Sequence, residues 1–225
     1  MSEKPLAPAS LAAQAMGWID PVTKAVVPPI HMASTYVRDE DNGYRSGRIY
    51  ARADNPTFDQ AEATLAALEG GAKALVFSSG MSAATACFLA LSPGDHVVAP
   101  KVMYWSLRNW LLTFATQWGL TVEFVDGDRT DAFAAAVRPG RTKLVWLETP
   151  ANPTWAVSDI AAVAEIAHKA GALLGVDSTV ATPVLTRPIE HAAATVMHPA
   201  PTYPNGPSSI IAAPLLRAHA HAHSA

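Results

Sequence analysis

The sequence predicts an α/β fold built on an open, mostly parallel sheet, and three observations predict it. Between Pro56 and about Val180, amphipathic stretches of helical period alternate with short, continuously apolar runs, the pattern of helices packed on buried parallel strands. Half of the 225 residues are hydrophobic and 16% are charged, which supports a sizeable core and excludes wholesale disorder. Turn-forming residues punctuate the junctions, as in Gly70-Gly71 and the Ser-Pro-Gly-Asp run at Ser92 to Asp95.

Residues 1–54 mix prolines, glycines and aromatics without sustained periodicity, which predicts an extended arm with short turns that wraps another surface. Residues 55–190 read as the α/β domain. A helix from Phe58 to Leu68 is closed by Gly70-Gly71, and a strand follows at Lys73 to Phe77. After Ser78-Ser79-Gly80, a small-residue helix runs from Met81 towards Leu91, and the next turn leads into a strand at His96 to Pro100. A helix from Ser106 to Trp118, a strand at Thr121 to Val125, a helix from Asp131 to Val137 and a strand at Lys143 to Glu148 continue the series. Ser158 or Asp159 caps a helix ending near Gly171, and a strand at Ala172 to Asp177 comes next. In the tail, 191–225, Pro199, Pro201, Pro204 and Pro207 remove hydrogen bonds, so only a short strand at Thr195 to Met197 is expected there.

A net charge of −3 and a pI near 6.2 provide no basic surface for nucleic acid or an anionic membrane. The single cysteine, Cys87, cannot form an internal disulfide, and the first twenty residues lack the basic start and apolar core of a signal peptide. No apolar run approaches the ~20 residues of a membrane span. Together these point to a cytoplasmic protein. Cys87 sits among apolar residues and reads as a packed small side chain. Trp105, Trp110, Trp118 and Trp146 read as core or interface. His219, His221 and His223 alternate with alanine, which splays them to opposite sides, and no acidic or cysteine ligand accompanies them, so no metal site is expected.

In an open α/β sheet the ligand lies outside the carboxyl ends of the strands. The residues there are Ser78 to Met81, Lys101 to Tyr104, Glu148 to Asn152, and Asp177 to Thr179. A glycine opening a helix makes a phosphate cradle of backbone N–H groups. Tyr104 offers an aromatic plate, and Asp177 a carboxylate at the end of an apolar strand. Taken alone, the Ser-Ser-Gly turn is a weak signal and a strand-end Asp is as often a helix cap. Their joint placement suits a flat, phosphorylated, cationic heterocycle, and pyridoxal phosphate (PLP) meets that description.

The chain resembles the Cys/Met-metabolism family of PLP-dependent trans-sulfuration enzymes. The resemblance is carried by VVPPIHMASTY, YARADNPT, LEGGAKALVFSSGMSA, LSPGDHVV, LVWLETPANPT and GVDSTVATP, which cover nearly all of Val26 to Pro188 in family order. It implies the large domain of the aspartate aminotransferase-like PLP transferases, fold type I, here incomplete and without a C-terminal small domain. It also implies a homo-oligomer whose sites are shared between subunits, and a sulfur amino acid or activated homoserine as substrate. Residue by residue, Tyr50 and Arg52 match the pair that reaches a neighbour's cofactor phosphate, a task suited to arginine's bidentate fork. Gly80 and Met81 match N–H donors to that phosphate. Tyr104 matches the ring that stacks on the pyridine and takes part in proton transfer. Asn152 matches a residue near the cofactor hydroxyl, Asp177 the pyridinium partner and Thr179 a hydroxyl beneath the ring. Glu148 is a lesser candidate.

The family's next motif is Ser-Ala-Thr-Lys-Tyr after a Val-His pair, and its lysine forms the Schiff base with the cofactor. The equivalent stretch runs from Val196 to Tyr203, and the lysine position is Thr202, which has no amine. Pro199 and Pro201 stand at the phosphate-binding serine and threonine positions. Two function classes follow: a trans-sulfuration enzyme working by β- or γ-elimination and replacement, impaired in this chain, or a truncated, catalytically dead relative that at most binds PLP or co-assembles with an intact subunit. A nicotinamide-binding protein is disfavoured because no G-x-G-x-x-G follows an early strand. The departures share a codon form: serine to proline, threonine to proline and lysine to threonine each need one base to become cytosine. A decayed gene end and sequence-read errors both produce that pattern. Resequencing the source DNA separates them, because an unambiguous threonine codon at position 202 removes the read-error explanation.

Overall fold

Helices over strands with apolar runs can bury both faces of a sheet, and the computed structural model, which describes residues 6–13, 15–199 and 212–216, has that arrangement. The chain divides into two units, Met1–Leu68 and Glu69–Ala225. The division falls later than the expected boundary at residue 54, because the first long helix groups with the segment before it.

The first unit contains α1 (Pro8–Ala13), a 3-10 turn (Ala15–Gly17) and most of α2 (Pro56–Glu69). The short helix interrupts what the sequence presents as an extended arm. Turns and one isolated antiparallel bridge, Thr35 to Tyr50, make up the rest. Proline suits the first position of α2, where no helical N–H is needed. Arg48 joins the turn to that helix, bonding Asp54 on one side and Asp59 on the other, the latter at 2.5 Å.

The second unit is organised around a seven-stranded sheet. Its strands are β1 (Lys73–Ala74), β2 (His96–Pro100), β3 (Thr121–Val125), β4 (Thr142–Glu148), β5 (Leu173–Asp177), β6 (Thr195–Pro199) and β7 (Ala212–Leu216). The spatial order is β1-β7-β6-β5-β4-β2-β3; the five from β6 to β3 are mutually parallel and β7 is antiparallel to both its neighbours. The helices are α3 (Gly80–Leu89), α4 (Trp105–Trp110), α5 (Thr116–Trp118), α6 (Thr130–Ala136), α7 (Ile160–Lys169) and α8 (Thr182–Leu185). A π turn, Leu111–Ala115, joins α4 to α5, so the single helix expected there carries one widened turn. Gly119 closes it at φ +106, a left-handed conformation that glycine adopts without strain. Asp159 is the cap of α7, accepting from the Ala162 N–H at 2.9 Å.

Two expectations change. The strand read at Lys73 to Phe77 is a strand over Lys73–Ala74 only, with a single bridge at Phe77. The tail contributes more than a short strand at Thr195 to Met197: β6 runs to Pro199, and β7 lies inside the sheet between β1 and β6. Pro214 in β7 stands opposite Met197, past the two residues of β1, where β7 has a partner on one side only. A missing N–H is tolerated at such a place. No helix among the described residues is long and apolar enough to cross a membrane.

The core lies between α3, α4 with its π turn, and the sheet. It gathers Ala83, Ala84 and Phe88 from α3, Val97 and Ala99 from β2, Leu144 and Trp146 from β4, and Leu107 and Leu111. Phe88 packs on Trp146 with ring centroids 5.1 Å apart at 47°, a tilted geometry that suits the ring quadrupoles. Trp146 and Trp110 thus belong to the core or pack against it, whereas Trp105 and Trp118 are exposed on the helix surface. Cys87 is packed against the same core, where burial pushes its thiol up to about 11. Because Phe88 is fully buried, Phe88→Ala is expected to destabilise the chain by about 3–5 kcal/mol, measured by urea unfolding.

Candidate functional site

The parallel order brings the carboxyl ends of β4, β5 and β6 to one edge of the sheet, beside the start of α3. A cavity of about 400 Å³ opens there. Its lining includes Gly80, Met81, Tyr104, Glu148, Asn152, Asp177 and Thr179, so seven residues singled out from the sequence line one cavity.

The Ser79 hydroxyl caps α3, accepting from the Ser82 N–H at 3.0 Å, and the Ala83 N–H turns back to the Ser79 carbonyl at 3.1 Å. The N–H groups of Gly80 and Met81 have no acceptor among the described residues. Free N–H groups and the positive end of the helix favour an anion at this position. A Cβ on Gly80 would approach the Pro199 Cβ to 2.9 Å, so a side chain there would force the two segments apart.

Glu148 and Asp177 are paired residues at the ends of adjacent parallel strands, and both are buried. The Glu148 carboxylate accepts from the Tyr104 N–H at 2.5 Å and from the Asn152 N–H at 2.9 Å. It thereby holds the two loops that carry the aromatic plate and the asparagine. Burial first, and the negative field of Asp177 second, push the Glu148 carboxyl up to about 7, against the two N–H bonds. Asp177 is likewise raised by burial, while hydrogen bonds from the Thr179 hydroxyl and N–H, the latter at 3.0 Å, and the field of His198 act in the opposite sense. Among the described residues, the cavity lining contains no lysine, arginine or histidine. Two buried carboxyl groups that face a cavity whose described lining holds no cationic side chain favour a ligand that brings a cation.

His198 is not among the cavity-lining residues and makes another buried contact: its Nε2 bonds the Glu69 carboxylate, and both side chains are almost fully enclosed. The pair anchors the end of β6, next to Pro199. Tyr50 and Arg52 lie in the first unit, both exposed; Arg52 donates to the Tyr50 hydroxyl at 3.0 Å and its guanidinium stands 5.3 Å from the ring centroid. Thr202 and the three alternating histidines lie outside the described residues. No metal-binding cluster occurs among the described residues.

Glu148, a lesser candidate from the sequence, and Pro199, which stands at a phosphate-binding serine position of the family, both line the cavity, as do Trp155 and Met197, which the sequence did not single out as site residues. The polar run after β4 was a sufficient signal for Glu148, but its bonds to loops 44 residues before and four after it are visible only in three dimensions.

A model of the family described as Cys/Met metabolism PLP-dependent enzyme matches residues 10–223. Cystathionine gamma-synthase of Mycobacterium tuberculosis is 42% identical over 211 residues, covering 93% of this chain and 54% of that protein. L-methionine gamma-lyase of Porphyromonas gingivalis is 41% identical over 205 residues, covering 87% of this chain and 51% of that protein. The crystal structure of metB from Corynebacterium glutamicum superposes with a TM-score of 0.89 at 33% identity, covering 95% of this chain and 56% of that one. The chain spans about half the length of the curated relatives it matches.

The raised carboxyl of Glu148 sets a sign for pH dependence. Its folded form holds a proton that the unfolded chain releases above the ordinary carboxyl value of 4.5, so its contribution is fully present below that pH and is lost as pH rises through about 7. Thermal unfolding at pH 5 and pH 8 is expected to show a fall in Tm for the wild type that is smaller in Glu148→Gln.

Proposed function

Because the chain belongs to the Cys/Met metabolism PLP-dependent enzyme family, we propose that its cavity is a PLP site serving trans-sulfuration chemistry. The reactions are β- or γ-elimination and replacement on cysteine, homocysteine-type thioethers or activated homoserine. One observation carries the reading: a buried carboxyl pair faces a cavity whose described lining holds no cationic side chain, and the same cavity meets a helix start whose first N–H groups have no acceptor among the described residues. A ligand cationic at one end and phosphorylated at the other answers both.

The lining fits that ligand. Gly80 and Met81 would hold the phosphate through their N–H groups, at a helix start where Pro199 packs closely against Gly80. When bound, the cofactor's cationic ring draws electrons from the substrate's α-carbon. Asp177 would hold the proton at the ring nitrogen, with its carboxylate oriented by the Thr179 hydroxyl. Tyr104 would cover the ring face and move protons at its phenol oxygen, and Asn152 would bond the cofactor hydroxyl. Glu148 acts as a positioning residue through the N–H groups of Tyr104 and Asn152. Tyr50 and Arg52 would complete the phosphate site of a neighbouring subunit in a homo-oligomer. Residues 1–54 serve as the arm, 55–190 as the cofactor-binding domain and 191–225 as a degenerate remnant of the sequence that follows it in relatives. A cytoplasmic location agrees with the single unpaired cysteine.

Position 202 favours a second reading, in which this chain is catalytically dead and binds PLP only reversibly or co-assembles with an intact subunit. Threonine supplies no amine there, and no described lysine lines the cavity. Lys101 pairs with Asp126 at 3.0 Å, Lys169 with Glu165 at 2.6 Å, and Lys143 donates to the Gly140 carbonyl at 2.9 Å. Absorbance titration with PLP, followed by borohydride reduction and peptide mass spectrometry, tests both readings. The expected result is PLP that dialyses away and leaves no lysine adduct, with Asp177→Ala weakening binding by about tenfold or more. A trapped lysine adduct would overturn the dead-enzyme reading, and failure of the wild type to bind PLP would overturn the cofactor site in both readings and leave only co-assembly with an intact subunit.

A further inference from the structure

The loop after β4 carries a tryptophan in a backbone conformation that bulky residues rarely adopt. Trp155 has φ +60, in the left-handed region. Its N–H donates to the Ala151 carbonyl at 2.7 Å, and the Ala151 N–H donates to the Ala156 carbonyl at 2.9 Å. The loop is fastened on both sides of this turn. Asn152 is held by Glu148, the Ser158 N–H donates to the Thr149 hydroxyl at 3.0 Å, and the Ser158 hydroxyl donates to the Gly127 carbonyl at 2.6 Å.

This fastened loop presents an indole that is 62% exposed and still lines the cavity. A tryptophan is ordinarily oriented by the large area it buries. Here the side chain buries little, and the fastened loop fixes where the residue stands at the cavity. Strained backbone persists where its surroundings over-determine it, and such places concentrate at ligand clamps.

We propose that Trp155 is a specificity-determining residue, an aromatic wall against which the uncharged thioether side chain of an amino-acid substrate packs. The proposal rests on the cofactor reading above. Met81, Leu107, Val180 and Met197 make the rest of the lining largely apolar, while the acidic groups Glu148 and Asp177 disfavour a negatively charged side chain. A thioether sulfur is polarizable, makes favourable contacts with aromatic rings and leaves water without losing strong hydrogen bonds.

The test uses the full chain and two stable secondary amines, N-(phosphopyridoxyl)-methionine and N-(phosphopyridoxyl)-glycine. Each carries cofactor and amino acid in one molecule and requires no lysine for binding. Wild type, Trp155→Phe and Trp155→Gly are titrated calorimetrically. Glycine accepts φ +60 freely, so Trp155→Gly removes the indole without straining the turn. The expected result is a loss of about tenfold for the methionine conjugate with Trp155→Gly, a loss under about twofold for the glycine conjugate, and near-wild-type binding of both by Trp155→Phe. Equal losses for the two conjugates would assign Trp155 to the cofactor or to loop structure and overturn the proposal. Unchanged affinity for the methionine conjugate would overturn it as well. A wild type that binds neither conjugate refutes the cofactor reading, and this proposal falls with it; a wild type that binds both without preferring methionine refutes this proposal alone.

Discussion

Glu148 and Asp177 stand opposite each other at the ends of two neighbouring parallel strands, both almost wholly removed from water. Two like charges in a dry site cannot both ionise cheaply. The local structure answers with donors: the N–H groups of Tyr104 and Asn152 on one carboxyl, and the hydroxyl and N–H of Thr179 on the other. Those donors belong to three different loops, so relieving the charge pair also positions the residues around the cavity.

The same constraint gives the cavity its polarity. Acidic groups end β4 and β5, and the start of α3, whose first N–H groups have no acceptor among the described residues, lines the same space. Phe88 against Trp146 holds α3 to the sheet, and the buried Glu69–His198 contact holds the end of β6. The electrostatic asymmetry of the site therefore depends on packing well behind it. Substitutions in that packing would reach the ligand through geometry, with no contact to the ligand itself.

Much of this was legible along the chain. Five parallel strands show themselves as short apolar runs because burial on both faces removes alternation, and β2 and β3 coincide with their apolar or β-branched runs. Gly80, Tyr104, Asn152, Asp177 and Thr179 could be found by looking just after strands, since sheet topology confines ligands to that edge. β7 was not legible. Its place in the sheet comes from backbone pairing with β6 and β1, a signal that the proline-rich sequence around it conceals. The importance of Glu148 was understated for a related reason, because its partners are backbone groups whose identity leaves no trace in the residue types.

By itself the sequence determined the alternation of helices and strands, the family to which the chain belongs and the chemical inventory at each strand end. These depend on local periodicity and on residue types, which are properties of the linear chain. Only the tertiary structure decided that Glu148 would face Asp177, that Trp155 would be held at the cavity by its backbone, and that the tail would supply a strand within the sheet. Each of these is set by register or by hydrogen bonds between distant segments, and their energy depends on which groups the folded chain brings together out of water.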